Sequence, residues 1–485
     1  MKVSFRYAKD SHIKCDALVL PVFEDEKTTI HPVEDSIDKE IKRVITAGEF
    51  KGSLLEVCLI HSFGKITPDR VFLIGLGKKS DFNDEHLRKC GGEIAGVSSK
   101  KSLKTVALST PHLKTLTIPI SILVEGIILG SYRFDRYRQK KDSKGLSEII
   151  LTGKKDRETA TDIRYRETTA KGVFFTRDLV NTPSNDLSPS DLASAAKGIK
   201  GHGISVKVLG DKDIRKKGMY AFHAVSQGSN QKPAFIVMEY RGGKKGPIVL
   251  VGKSVTFDSG GISLKPSEGM EKMKYDMAGG AAVLGVFKVL PELNLPIHVV
   301  GILPATENLP GGSATKPGDI VKTISGKTIE IINTDAEGRL TLADGIEFAK
   351  KYKPGAIVDI ATLTGACSVA LGNEAIALMG NKEELMDTMQ RASGISGERI
   401  WKMPLYEEYR DYLKSDVADI KNTGGRSGSL VTAGYFLKEF AGDTPWLHLD
   451  IASTAWTDND RQYMPKGATG IGVRLLINFL KEYSQ

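Results

Sequence analysis

The first third of the chain alternates short apolar runs with amphipathic stretches of helical spacing. The apolar runs predict strands at residues 3–7, 17–23, 54–63, 71–75, 106–109 and 149–152. Helical spacing predicts helices at residues 85–97 and 121–136. Strands and helices mixed in this order predict an α/β domain.

From about residue 200 onward, apolar runs and helical stretches alternate more regularly. Buried strands are predicted at residues 204–209, 234–240, 248–252, 299–303, 329–333, 356–362 and 447–451. Helices are predicted at residues 278–290, 342–351, 384–393, 431–440 and 470–481. Strands continuous in Val and Ile are typical of a sheet covered on both faces. We therefore expect a larger α/β domain with a mixed, helix-covered sheet, whose ligands bind at the carboxyl ends of strands.

A long charged stretch, residues 156–180, separates these two parts and predicts one helix. Pro183 and Pro189 follow it and mark a boundary. A chain of 485 residues is too long for one ordinary core. We therefore predict two domains, residues 1–165 and 166–485, that meet within this helix.

The chain is basic, with a net charge of +9 and an isoelectric point near 9.0. Basic residues cluster at residues 136–141, 154–155, 215–217 and 244–245, but they are scattered along the chain and accompany no nucleic-acid-binding motif. A role with nucleic acid is therefore a minor alternative, to be tested by retardation of duplex DNA at moderate salt.

The cysteines and the apolar segments indicate the cellular compartment of the protein. The four cysteines are widely spaced and form no CxxC pair, which favours a reducing environment. The best membrane candidate, residues 116–130, is interrupted by Pro119 and Glu125. The charged N-terminal segment lacks the apolar core of a signal peptide. These features predict a soluble, cytoplasmic protein without membrane contact.

The segment 333–340, NTDAEGRL, carries the most specific chemistry. Asp335, Glu337 and Arg339 are each two residues apart, and an extended backbone would place them on one face. About 80 residues upstream, the segment 252–266 (GKSVTFDSGGISLKP) is followed by MKYD at 273–276. Acidic residues beside a basic one often form only a solvated loop. The evidence for a functional site is therefore that segments 252–266, 273–276 and 333–340 occur in one chain.

One alternative for the upstream segment is the phosphate-binding loop of a nucleotide hydrolase, because Gly252, Lys253 and Ser254 end a predicted strand. That loop needs a glycine five residues before Gly252, where this chain has Pro247. The residues between them read as strand, which leaves no loop to enclose a phosphate. ATP turnover by the purified protein would favour this alternative.

The three segments together resemble the leucyl aminopeptidase family of cytosolic di-metal exopeptidases, and the resemblance extends from about Arg177 to near the C-terminus. It implies removal of N-terminal residues, preferably Leu and other apolar ones, from peptides, and assembly as a homohexamer. Small departures from the family pattern occur at Ser254, Ala278 and Gly280, none of them at an implied ligand. A related protein of the same fold that has lost catalysis is disfavoured because all implied ligands and catalytic residues are present.

The resemblance implies two divalent ions per subunit. The implied ligands are Lys253, Asp258, Asp276, Asp335 and Glu337, with Asp258 and Glu337 bridging the ions. Four converging carboxylates would repel one another unless cations neutralise them. Oxygen ligands with one amine suit Mn²⁺ or Mg²⁺, and Zn²⁺ can also bind. A lysine ligates only as the neutral amine, so we expect a strongly lowered pKa for Lys253.

Catalytic and pocket residues follow from the same resemblance. Lys265 is implied as the charged catalytic lysine, and Arg339 as the residue that binds a bicarbonate ion acting as general base. The residues implied to line the substrate side-chain pocket are Met273, Asn333, Thr362, Leu363, Gly365 and Ala452. Apolar walls favour Leu or Met side chains. Ala455 stands where some relatives have a larger Met, so the exact preference and the native metals stay open.

Overall fold

The computed structural model describes residues 1–26, 31–139 and 145–484. The chain forms two compact units, residues 1–170 with 459–466, and residues 171–458 with 467 to the C-terminus. The expected junction near residue 165 lies in the same helix, Arg157–Asn181, as the observed division. The short segment 459–466 returns to the first unit, which the expected continuous second domain did not include.

The first unit is built on a six-stranded sheet of order β1-β6-β5-β2-β4-β3. Its strands are β1 Lys2–Arg6, β2 Ala17–Val22, β3 Val57–His61, β4 Arg70–Gly75, β5 Thr105–Leu108 and β6 Glu148–Thr152. Adjacent strands run parallel except for the edge strand β3, which is antiparallel to β4.

Four helices accompany this sheet before the long helix that enters the second unit. They are α1 Asp35–Thr46, α2 Asp84–Lys100, α3 Thr110–Thr115 and α4 Ile120–Gly130, followed by α5 Arg157–Asn181. Asn83 caps α2 by accepting a hydrogen bond from the His86 amide. The core includes Leu18, Leu20 and Leu73 from the sheet and Ile37 and Ile41 from α1.

The second unit contains a nine-stranded sheet whose main order is β16-β15-β18-β14-β9-β11-β8-β7, with β10 pairing beside β11. The strands of the unit, including its smaller sheets, are β7 Ile204–Leu209, β8 Ala234–Arg241, β9 Lys245–Gly252, β10 Ser254–Asp258, β11 Ile297–Asn308, β12 Ile320–Lys322, β13 Thr328–Glu330, β14 Ala356–Ala361, β15 Ile376–Gly380, β16 Ile400–Lys402, β17 Ile420–Lys421, β18 Trp446–Asp450, β19 Trp456–Thr457 and β20 Gly467–Ala468. The central strands β18, β14, β9 and β11 are parallel, and both flanks contain antiparallel pairs.

Helices cover this sheet and bury the central strands. They are α6 Pro189–Gly198, α7 Asp211–Lys216, α8 Tyr220–Ser226, α9 Ala278–Leu293, α10 Gly338–Ala349, α11 Gly365–Leu371, α12 Glu383–Ser396, α13 Ser429–Ala441 and α14 Val473–Ser484. Apolar residues of β9 and β11 pack in one core with residues of α8, α10 and α13. Every residue of β14 and β18 is buried. The predicted α/β fold with a mixed, helix-covered sheet is confirmed.

One difference from the predicted elements affects the site, and one predicted strand bears on the phosphate-loop alternative. The predicted strand at residues 329–333 is the shorter β13, which pairs with β12 and β17 in a separate three-stranded sheet. Asp335 is therefore not carried by the main sheet. Residues 248–251 lie inside β9, so their amides are committed to the sheet and offer no phosphate-binding loop.

In the described part of the chain, no helix has the length and apolar character to cross a membrane.

Candidate metal centre

The carboxyl ends of β9 and β10 place the first two candidate ligands. Lys253 follows β9 directly, and its amide donates to the carbonyl of Ile360 on β14 at 3.0 Å. Asp258 is the last residue of β10 and lies opposite Asn308 at the end of β11. The parallel strands thus bring two ligands 5 residues apart in sequence to one edge of the sheet, as expected for α/β proteins.

Lys253 lies at the centre of the cluster. Its ammonium nitrogen Nζ is 2.8 Å from both carboxylate oxygens of Asp276 and 2.7 Å from Glu337 Oε1. It also donates to the carbonyl oxygen of Thr362 at 3.0 Å. Lys253 is only 2% exposed and Glu337 only 1%. One buried amine therefore joins two of the candidate carboxylates to the end of β14.

Lys265 joins the other two carboxylates. Its Nζ lies 2.8 Å from Asp258 Oδ2 and also contacts Asp335 Oδ1. One carboxylate oxygen from each of Asp258, Asp335 and Glu337 can be chosen so that all three lie within 4.8 Å of one another. The five implied ligands therefore do converge, together with Lys265.

The donor set fits divalent cations. Three buried oxygens accept no hydrogen bond from any described residue, although a lysine ammonium is near each: Asp276 Oδ2, Asp335 Oδ1 and Glu337 Oε1. Burial raises the pKa of the Asp276, Glu337 and Asp335 carboxyl groups, and in each case neighbouring carboxylates raise it further. Buried, mutually repelling oxygens without hydrogen bonds are the groups that hard divalent ions neutralise.

The protonation of Lys253 is set by burial and by the carboxylates around it. Burial lowers its pKa, but the carboxylates of Asp276, Glu337 and Asp258 outweigh burial and raise the pKa above that of an ordinary lysine. The expected lowered pKa depends on bound cations and stays a prediction. Lysine can ligate only after losing its proton, and the positive charge of bound ions would favour that loss.

The segment that carries Asp335 and Glu337 is a turn leading into a helix, not an extended strand. Glu337 has helical backbone angles and immediately precedes α10, whose first residue is Gly338. A Cβ atom on Gly338 would lie 2.6 Å from Lys253 Cε, so only glycine leaves room for the lysine. The expected single extended face is wrong, because the turn and the start of α10 provide the convergence instead.

Arg339 is buried beside this cluster, 6% exposed. Its Nη1 donates to the carbonyl oxygen of Asn422 at 2.8 Å, whereas Nε finds no acceptor in the described residues. Burial lowers the pKa of the Arg339 guanidinium to about 10, so it remains charged at neutral pH. A buried guanidinium with an unsatisfied N–H suits a small planar anion.

The structure brings several of the predicted pocket residues to the cluster or next to one another. The Thr362 hydroxyl donates to Asp276 Oδ1 at 2.8 Å, and the Asn333 side chain accepts from the Asp335 amide at 2.8 Å. Leu363 and Ala452 are both held by one carboxylate, that of Asp450. Gly365 begins α11, and the half-buried Met273 belongs to the 3₁₀ helix Met270–Tyr275, the segment that directly precedes Asp276.

Three supporting residues were missed by the sequence analysis: Asn308, Asn422 and Asp450. Asn308 donates to Asp258 Oδ1 at 2.8 Å, and Asn422 accepts from the Ile332 amide at 2.8 Å. Asp450 is a fully buried acid at the end of an apolar strand. That position was a usable signal for Asp450, whereas nothing local in the sequence distinguishes the two asparagines.

Comparisons with known proteins agree with this geometry. The catalytic domain of the cytosol aminopeptidase family matches residues 174–477, and the N-terminal domain of the same family matches residues 19–141. The chain is 47% identical to the probable cytosol aminopeptidase of Geotalea uraniireducens, over 93% of this chain and 92% of that relative. It is 42% identical to the cytosol aminopeptidase of Pseudomonas aeruginosa, over 99% of both chains.

Solved structures are similar over nearly the whole length. A mutant of tomato leucine aminopeptidase is 31% identical with a TM-score of 0.89, over 99% of this chain and 96% of that chain. The bottromycin maturation enzyme BotP in complex with Mn is 31% identical with a TM-score of 0.85, over 97% and 100%. The chain therefore belongs to the cytosol aminopeptidase family and is a metal-dependent aminopeptidase, a hydrolase of peptides.

Proposed function

We propose that this aminopeptidase binds two divalent ions through Lys253, Asp258, Asp276, Asp335 and Glu337 and releases apolar N-terminal residues, leucine foremost. The observation that carries the proposal is the convergence of Asp258, Asp335 and Glu337, to which Lys253 joins Asp276, with buried carboxylate oxygens that face only a lysine ammonium. Mn²⁺ or Zn²⁺ would fill the site, and Mn²⁺ is supported by the similar structure of an enzyme in complex with Mn. When bound, the ions supply a water nucleophile at neutral pH and polarise the scissile carbonyl.

Lys265 is the proposed catalytic cation. Burial lowers its pKa, but the carboxylates of Asp258, Glu337 and Asp335 raise it more, so Lys265 carries a proton at neutral pH. It is less buried than Lys253, with a side chain 22% exposed. An ammonium in this position can donate to the oxyanion that develops as the peptide bond is attacked. Lys253 and Lys265 thus have different roles, one as ligand and one as donor.

Arg339 is proposed to hold a bicarbonate ion. The support is its burial, its retained charge and its unsatisfied Nε. Asn422 accepts a hydrogen bond from one end of the guanidinium and so fixes its orientation. A bound bicarbonate would accept a proton during peptide hydrolysis, as a general base does.

The preference for apolar side chains is proposed from the walls near Thr362 and Ala452. Leu363 packs against the large core of the second unit, and Ala452 belongs to a smaller apolar cluster with Cys367, Ala377 and Met379. Ala455 is small and nearly fully buried. Such walls accept Leu or Met side chains and offer no partner to a charged one.

Activity measured with and without metal tests the proposal. Exhaustive chelation should abolish hydrolysis of leucine p-nitroanilide, and added Mn²⁺ or Zn²⁺ should restore it. Activity that survives complete removal of metal would contradict the proposal. A panel of aminoacyl p-nitroanilides should rank Leu and Met above Asp and Lys.

Two variants separate ligation from catalysis. Glu337→Ala should lose bound metal, because it removes a buried ligand shared by the cluster. Lys265→Ala should retain metal but lose turnover by about 100-fold or more, the scale typical of one oxyanion donor. Metal content by plasma mass spectrometry and kcat distinguish them. Equal metal loss in both variants would show that Lys265 is misassigned.

A homohexameric assembly rests on the resemblance, a cytoplasmic location rests on the cysteine and apolar-segment pattern, and both stay predictions. Nucleic-acid binding likewise stays a minor alternative, which the absence of DNA retardation at moderate salt would remove.

A further inference from the structure

Asp450 occupies a central position just past the catalytic edge of the large sheet. It is the last residue of β18, and its neighbours across the sheet are Ala361 of β14 and Ala377 of β15. It is fully buried, whereas the carboxylates that contact the two lysines of the metal cluster are those of Asp276, Glu337, Asp258 and Asp335. The groups that donate hydrogen bonds to the Asp450 carboxylate therefore indicate its role.

The Asp450 carboxylate holds two separate segments of the chain. Oδ1 accepts hydrogen bonds from the backbone amides of Leu363 and Ala452, each at 3.1 Å. Oδ2 accepts from the hydroxyl of Thr364 at 2.8 Å. One side chain thus fixes the segment that follows β14 to the segment that follows β18.

These two segments carry most of the residues proposed for the substrate pocket. Thr362, Leu363 and Gly365 lie on the first segment, and Ala452 lies on the second. The Thr364 hydroxyl also accepts from the Cys367 amide and caps α11, so the contact extends to the start of that helix. A substrate side chain bound between the two segments would be limited in size by the distance between them.

We propose that Asp450 is a positioning residue that sets the width of the side-chain pocket and hence the discrimination among apolar N-terminal residues of different size. The inference rests on the proposed function, because it assigns these segments to the pocket. Asp450 acts through the backbone of Leu363 and Ala452 and does not itself bind substrate.

The physical reason is the cost of leaving buried donors without acceptors. Without the carboxylate, the Leu363 and Ala452 amides would each lose an acceptor in a buried environment. Both segments would then shift to find other partners. The nearby bond from the Ile451 amide to the Ala361 carbonyl, 2.8 Å, would still hold the strands together. The sheet and the metal ligands would persist while the pocket changes shape.

Substrate selectivity of Asp450→Ala tests the inference. We expect the ratio of kcat/KM for leucine p-nitroanilide to that for alanine p-nitroanilide to move toward one by about tenfold, the scale on which apolar pockets discriminate. Metal content should equal that of the unaltered protein. Asp450→Asn keeps one acceptor oxygen for the two amides and should change the ratio less.

Asp344→Ala provides the matched control. Asp344 is also fully buried and also accepts from two backbone amides, those of Phe222 and Ile324, both at 2.8 Å. Neither amide belongs to a pocket segment. Asp344→Ala should therefore lower stability and leave the selectivity ratio unchanged.

Thr364→Val supplies a second test should Asp450→Ala fail to fold, because it removes the Oδ2 contact and the cap of α11 but leaves both Oδ1 contacts in place. It should shift the ratio in the same direction, whereas Thr364→Ser should not. A wild-type ratio in an active, folded Asp450→Ala or in Thr364→Val overturns the inference. Absence of aminopeptidase activity in the unaltered, metal-loaded protein would instead overturn the proposed function on which it rests.

Discussion

At the scale of single residues, the site depends on a close approach between a lysine side chain and a glycine. Lys253 reaches Asp276 and Glu337 by passing over Gly338, where an added Cβ would lie 2.6 Å from Cε and 2.8 Å from Nζ. The lysine cannot move away without losing its contacts. Gly338 is therefore required by the position of the buried amine.

We predict that Gly338→Ala disrupts the centre. The added methyl group would displace the Lys253 side chain, so metal affinity and activity should both fall, by about 10-fold or more in affinity, as for lost support of metal ligands. Gly394→Ala is the matched control, because Gly394 also lies in a helix and has open space at its Cβ. Metal titration of both variants checks this. Unchanged affinity in Gly338→Ala would contradict the account.

The sequence identified the residues of the centre better than their supports. Lys253, Asp258, Asp276, Asp335 and Glu337 lie in short segments with specific spacing, and the structure does bring them together. Asn308, Asn422 and Asp450 act instead through contacts that include residues 26 to 90 positions away. Such contacts depend on the path of the chain in three dimensions, which local spacing does not encode.

At the scale of elements, the first unit is organised by the contact between helices α2 and α4. An added Cβ on Gly126 would lie 2.1 Å from the carbonyl oxygen of Arg88, and one on Gly91 would lie 2.4 Å from that of Leu123. The close approach lets the buried Arg88 pair with Glu125 at 2.9 Å. Glycines at the contact and the ion pair between Arg88 and Glu125 hold the two helices together.

We predict that Gly126→Ala destabilises this helix pair. The methyl group would meet a backbone oxygen and force the helices apart, at a cost of about 1–3 kcal/mol. Gly96→Ala is the control in α2, the other helix of the pair, with open space at its Cβ and an expected gain of up to about 1 kcal/mol. Hydrogen exchange of peptides from α2 and α4 measures the difference. Equal protection in the two variants would contradict the prediction.

Elements were predictable where apolar runs were long and continuous. The strands at 248–252 and 356–362 correspond to the central strands β9 and β14, whose residues are buried at their core. The two-to-three-residue strands β13 and β17 carry too short a pattern to predict their pairing. Helix α1 was missed although Ile37, Ile41, Val44 and Ile45 have helical spacing and charged residues lie between them, the pattern of an amphipathic helix.

At the scale of the whole molecule, assembly is the open structural prediction. The family resemblance implies six copies, so sedimentation equilibrium should give about six times the chain mass of 52.7 kDa. The mass should be measured at several protein concentrations and at moderate salt, since a chain of net charge +9 is subject to electrostatic repulsion. A stable monomer at micromolar concentration would contradict the prediction.

The central claim is that four carboxylates and one lysine enclose a pair of ions. The most direct test is anomalous diffraction from crystals of the protein loaded with Mn²⁺, recorded on both sides of the manganese absorption edge. The account predicts two peaks about 3.5–4 Å apart, bounded by Lys253, Asp258, Asp276, Asp335 and Glu337. No peak among these residues, or peaks only elsewhere in the molecule, would contradict it.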